Sequence, residues 1–352
     1  MAVLIPALTT VLAFVFAIAL FDQWRDRRHA FQLIWATGML FFAVAAGSEA
    51  LAAAIGWNEP LYRAWYTTGA VWSAGWLGLG TCFLLNRTRF GYAVALCLFL
   101  AGLFTFLAAR RPEHAGAGEL PGLYFIAAGV LAVGVAVETY FQNERWPSLA
   151  AVAVVGGTLA SLWLVLTVPL PAPGYAVDPA TGAPTAEIIP PALRLFTPFM
   201  NVTGGLALIL GALFSAYVFM PKRRVLHYSL DPNQGGDAFL FNLLIAPIAL
   251  VVNFLASLPG ALRALLHGRI HSRVPATLLI AAGALVVSSA DTLVRFGSTD
   301  LSQLGRLVGV VLLFIGFLIS VEVFREIRIP FTGRVLRSER GERAGALGSS
   351  AD

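Results

Sequence analysis

Apolar runs long enough to cross a bilayer recur along this chain, and none has a histidine or lysine deep in its interior. A crossing helix needs roughly 20 apolar residues at 1.5 Å rise to cover about 30 Å of hydrocarbon. Runs of that kind extend over Val3–Phe21, Ala30–Ala54, Leu61–Leu85, Gly91–Ala109, Pro121–Phe141, Pro147–Leu170, Leu195–Phe219, Pro275–Val294 and Gln303–Phe324. Backbone groups in lipid have no water to bond, so each run must pair its own carbonyls and amides as a helix. A β-barrel would show short alternating segments instead. The expected fold is all-α: a polytopic transmembrane helix bundle of about nine spans, occupying residues 1–330. The first run lacks a basic leader, and Asp22-Gln23-Trp24-Arg25 stands where a cleavage site would lie, so it reads as a retained span. Cys82 and Cys97 fall within runs and read as apolar fillers.

Orientation follows from the arginines. With the N-terminus outside and nine alternating spans, the outer side keeps only Arg63, Arg110, Arg111, Arg194, Arg295 and Arg306 of the 24 basic residues. All others, including the sole lysine Lys222, face the cytoplasm, which is the positive-inside pattern. Trp24, Trp57, Trp65 and Trp146 fall at span boundaries, where interfacial anchors sit. Phe239–Leu258 is apolar enough for a tenth span but is interrupted by Asn242, Pro247 and Asn253. A tenth crossing would also send the arginine-rich C-terminus outside. The stretch 225–274 is therefore expected to be a cytoplasmic re-entrant or interfacial helical segment. Within it Leu262, Leu265, Leu266 and Ile270 form one face and Arg263, His267 and His271 another. Pro171–Pro191 reads as an extended outer loop without a core. Residues 331–352 read as a disordered basic cytoplasmic tail.

Few polar residues interrupt the spans. Glu49 lies in the outer third of the second, and an ionised carboxylate there costs on the order of 3 kcal/mol unless partnered or hydrated. Arg63, beside Tyr66 at the start of the next span, is the expected partner. Asp291 and Arg295 share a helix face in the eighth span. Glu49, Arg63, Tyr66, Asp291 and Arg295 thus form the candidate intramembrane polar site, to be weighed against two structural ion pairs. Trp72 and Trp76 make an aromatic stripe that either lines a cavity or packs. The spacing of His267 and His271 suits a metal on a helix, but no third ligand lies nearby. With Lys222 in a loop and no phosphate-binding, nucleophile-elbow or zinc-protease motif, no catalytic residue, metal or cofactor is expected. A gapless internal match pairs Thr68–Arg89 with Thr203–Arg224, which suggests a parallel repeat of the kind found in transporters.

The blocks Leu61–Tyr66, Leu77–Thr81, Thr197–Asn201, Gly211–Tyr217 and Ile280–Ala284 resemble an uncharacterised family of multi-pass membrane proteins of high-GC bacteria. The resemblance covers most spans and implies a bacterial plasma-membrane location, but it brings no activity or site residue. Against its pattern, Val225–Ser272 reads as an insertion. Two functional classes remain: a small-solute or lipid-handling transporter, or a non-catalytic sensor or assembly component that recruits a partner through its basic cytoplasmic face. Anionic membrane lipids are the expected partners on that face; nucleic acid is not, and no protein partner is implied.

Overall fold

The computed structural model describes residues 3–114, 116–141, 143–230, 236–267, 270–295, 298–320, 326–328 and 335–338. Helices α1 (Leu4–Arg27) and α2 (Ala30–Ile55) form a hairpin whose turn is Arg28 in the left-handed region. The third pass runs without a break from Glu59 to Leu84 as α3 (Glu59–Trp65), a π-helical segment (Tyr66–Ser73) and α4 (Ala74–Leu84). Then come α5 (Gly91–Ala108), α6 (Leu120–Tyr140), α7 (Trp146–Thr167), α8 (Pro191–Phe219), α9 (Gly236–Leu266), α10 (Arg273–Arg295) and α11 (Thr299–Ile319). A small antiparallel pair, β1 (Glu326–Arg328) with β2 (Val335–Ser338), follows the bundle. Val335–Ser338 is thus a paired strand inside the stretch expected to be disordered; residues 339–352 lie outside the described residues.

The third pass and α8 form the centre and run in the same direction. Their backbones touch: a Cβ added at Gly78 would sit 2.4 Å from the Gly204 carbonyl oxygen, and one at Gly204 would sit 2.1 Å from that of Ala74. Small residues are what permit such approach in lipid, where dispersion contact rather than water exclusion holds helices together. One apolar cluster lies on the α5–α6–α7 side of this pair and the other on the α1–α2–α10–α11 side. Trp35 ties α2 to the centre by donating its indole N–H to the Leu77 carbonyl at 2.9 Å.

The widened π turns leave carbonyls without their usual helical partners, and hydroxyls supplement the bonding there. Thr67 donates to the Arg63 carbonyl, Thr68 to Ala64, and Ser73 five residues back to Thr68. The two halves of the suggested repeat therefore lie side by side and parallel, the first beginning within this π segment and the second within α8.

Nine helices among the described residues are long and apolar enough to cross a membrane. They include α9 and omit the divided third pass. Position separates the two cases. The Phe239 ring near the start of α9 meets Tyr92 at the start of α5 and Tyr140 at the end of α6, at 5.9 and 5.2 Å. About 33 Å further along α9, at 1.5 Å per residue, Ala261 packs with Tyr217 and Met220 at the end of α8 and Val274 at the start of α10. All these partners belong to one end of the bundle, so α9 runs along that end. It is a single helix and not a hairpin. Leu240, Leu244, Ile248, Val251 and Leu255 stand exposed along its outer face, as on an in-plane interfacial helix.

Two expectations fail at the bundle ends. The loop from Val168 to Pro190 is packed and not extended. Tyr62, fully buried, donates its hydroxyl to the Thr185 carbonyl, Val177 and Pro184 form a bridge, and Ile189 is buried against the core. At its exposed tip the Ala180 amide and Thr181 hydroxyl donate to Asp178 and lower its carboxyl pKa. Trp146 is no lipid anchor either: it is buried and donates to the Asn86 carbonyl at 3.0 Å. Aromatic rings with a polar tip serve such inter-loop ties as readily as an interface.

The placement of α9 has a direct check. Single cysteines at Ala238 and Ser272, in a protein lacking Cys82 and Cys97, are expected to react with an impermeant thiol reagent from the same side of the membrane. Labelling from opposite sides would make α9 a crossing helix.

Candidate functional site

The expected pair of Glu49 and Arg63 is not formed. The Glu49 carboxylate accepts the Arg306 guanidinium of α11 at 2.5 Å and the Trp65 indole N–H at 2.8 Å. Arg63 instead holds Glu59 one turn back in α3, with its Nε 2.7 Å from Oε1. Its two terminal nitrogens donate to the Val165 and Val168 carbonyls, which the end of α7 leaves without helical partners. The choice follows from reach: Glu59 is one turn away on the same helix, and α11 packs against α1 next to α2. Tyr66 shares a 2.7 Å hydrogen bond with Thr197 in the core. Glu49 and Arg63 both lie near Trp65, but each is engaged by different partners. The side chains of Asp291 and Arg295 lie outside the described residues.

The tryptophan stripe is accounted for by packing. Trp72 donates to Ser161 at 2.8 Å and Trp76 to Thr158 at 3.0 Å, latching the third pass to α7, while Phe41 of α2 packs on both rings. Inside, between the third pass, α5, α7 and α8, lies an apolar cavity of about 30 Å³, bordered by Gly75, Cys82, Val94, Met200 and Thr203. It has room for about one water molecule. The two histidines near the end of α9 are separately engaged: His267 Nδ1 lies 2.7 Å from the Arg263 carbonyl oxygen, and the His271 ring packs on Phe219.

The larger cavity, about 620 Å³, lies at the opposite, basic end, between α8, the loop after it and α9. Asn253 of α9 shapes it by accepting from the Val225 and Leu226 amides at 2.7 and 2.9 Å and donating to the Leu226 carbonyl. Ser257 accepts the Arg223 amide at 2.9 Å. These bonds curl the loop against α9 and bring Lys222, Arg224 and His227 to the cavity with Arg89. Phe214, Tyr217, Val218, Leu226, Tyr228, Ser229 and Leu230 complete the wall. Among the described residues no carboxylate borders it, and Arg89 Nη1 is buried without a hydrogen-bond partner. Burial and the neighbouring Tyr217 raise the Tyr228 phenol pKa, with Arg224 opposing, so its hydroxyl stays a donor at neutral pH.

Sequence reasoning counted these basic residues only as topology markers. A sharper signal was present, because the internal match ends on Arg89 in one half and Arg224 in the other, and both line the same cavity. Arg306 was missed as the partner of Glu49 because sequence distance hid it. Comparisons with protein-family models, curated proteins and solved structures give no match. The chain stands as a multi-pass membrane protein, and no family is identified for it.

The ion pair is open to a double-mutant test. Glu49→Gln and Arg306→Gln are each expected to lower stability in detergent, with a coupling of about 1–3 kcal/mol between them. Glu49→Gln combined with Arg63→Gln is expected to add to within about 0.5 kcal/mol. Additivity between Glu49 and Arg306 would mean that the observed pair contributes nothing.

Proposed function

We propose that this protein is a non-catalytic membrane sensor or assembly component whose outer half is a closed scaffold and whose basic, cytoplasmic end is the working surface. The observation that carries this reading is that Glu49 and Arg63, the charged pair expected to face a path, are each held by protein groups. Glu49 is satisfied by Arg306 and Trp65, and Arg63 by Glu59 and two carbonyls. A polar residue kept in lipid for transport faces a wet path or an exchangeable ligand. Here each is held by protein, and the packed 168–190 loop covers Tyr62 beside them. The other end offers the opposite chemistry, with exposed Lys222, Arg224 and His227 around a roomy cavity. The positive-inside rule assigns that end to the cytoplasm.

A small-solute or lipid carrier is the second reading. The bare backbone contact of Gly78 with Gly204 favours it, since a seam without side chains can slide. The native cysteines separate the two. Cys82 and Cys97 are 2% exposed, and Cys82 borders the small inner cavity. In sealed vesicles of either orientation, a small charged methanethiosulfonate is expected to leave both unmodified until the protein is unfolded in SDS. Modification of Cys82 in the folded protein would show water reaching the bundle centre and would favour the carrier.

A further inference from the structure

We infer that the cavity lined by Arg89, Lys222, Arg224 and His227 is a binding site for a phosphate group carried on an amphiphile, of the kind an anionic phospholipid presents. The inference rests on the proposed role of the basic end and names the ligand of that surface.

Charge is the first ground. Three cationic side chains and a histidine converge on one cavity that no carboxylate borders among the described residues. Neither Arg89, Lys222 nor Arg224 has a salt-bridge partner among the described residues. A guanidinium nitrogen withdrawn from water without an acceptor is costly, and Arg89 Nη1 is in that state. An oxyanion supplies what is missing, and guanidinium forks match phosphate geometry.

Shape is the second ground. Phe214, Val218 and Leu226 give the same cavity an apolar wall, so the ligand that fits has a carbon portion beside its anion. A volume of about 620 Å³ accommodates a headgroup with its glycerol and the first methylenes. Location is the third ground. The cavity is closed on one side by α9, whose exposed Leu244, Ile248 and Val251 put it at the lipid surface.

Held loosely, Lys222 and Arg224 are suited to capture. The Lys222 ammonium rests 5.6 Å from the Tyr217 ring centroid, and both side chains belong to exposed loop residues. Their replacement therefore leaves the helical core untouched. Arg89, by contrast, is part-buried beside Phe90 and Tyr92 and acts as the fixed anchor.

The test uses the full-length protein in a neutral detergent and follows its melting temperature during titration. The probes are dihexanoyl-phosphatidylglycerol, dihexanoyl-phosphatidylcholine and inorganic phosphate. The expected result is a saturable rise with phosphatidylglycerol and a much smaller one with phosphatidylcholine. In Lys222→Gln/Arg224→Gln the half-saturating concentration should rise roughly tenfold or more, as loss of charge-assisted contacts implies. Arg25→Gln/Arg145→Gln removes the same charge from the same end outside the cavity and should leave the titration unchanged. A rise with inorganic phosphate alone that also depends on Lys222 and Arg224 would support the anion site and identify a soluble phosphate compound as its source. Equal responses to the two lipids, equal loss in both double variants, or no response to any probe would overturn the inference. None of these outcomes bears on the accessibility of Cys82, so the site and the closed-bundle reading can fail separately.

Discussion

In hydrocarbon a polar group unsatisfied by protein has nowhere else to turn, and this constraint shapes the structure at both ends of the bundle. It explains why Glu49 and Arg63 are each held by protein groups. The end of α7 leaves carbonyls open at Val165 and Val168, and Arg63 closes both. The π turns loosen the regular ladder, and Thr67, Thr68 and Ser73 repair it from their own side chains. Glu49, the one carboxylate well inside α2, draws α11 and the third pass onto α2 through Arg306 and Trp65. The bonds of Arg63 to the α7 carbonyls and of Glu49 to Arg306 and Trp65 each satisfy a group and tie two helices, whereas the hydroxyl bonds of the π segment stay within one pass.

At the basic end water is within reach of Lys222 and Arg224, which stand exposed, while Arg89 Nη1 is withdrawn from it. Among the described residues, Arg89, Lys222 and Arg224 meet no carboxylate around the cavity instead of being locked in pairs. The helix α9 turns this end into a site. Its polar positions, Asn253 and Ser257, face the loop after α8 and fix its course, while its leucines face outward. A crossing helix would have no use for Asn253 on a face packed against a loop. An interfacial helix uses it to anchor that loop.

Much of this was readable from residue order. The apolar runs marked the long helices of an all-α membrane bundle, and the arginine asymmetry argued against counting α9 as a further crossing despite its composition. Periodicity marks a helix but carries no information on how it divides, so the π segment at Tyr66–Ser73 was invisible. The same blindness to long-range contact mispaired Glu49. Arg63 is near in sequence, whereas Arg306 reaches Glu49 only because α11 folds back beside α1 and α2. The packed outer loop was missed because its Pro, Ala and Gly content suggests an open chain. Burial of Ile189 and the bond from Tyr62 depend on a surface that exists only after the third pass has folded.

The central claim is that water is excluded from the outer half and admitted at the basic end. Hydroxyl-radical footprinting of the protein in native membranes reads both ends at once. The account predicts that Tyr62 and Tyr66 stay unmodified while His227 and Tyr228 are oxidised. Oxidation of Tyr62 and Tyr66 with protection of His227 and Tyr228 would contradict it.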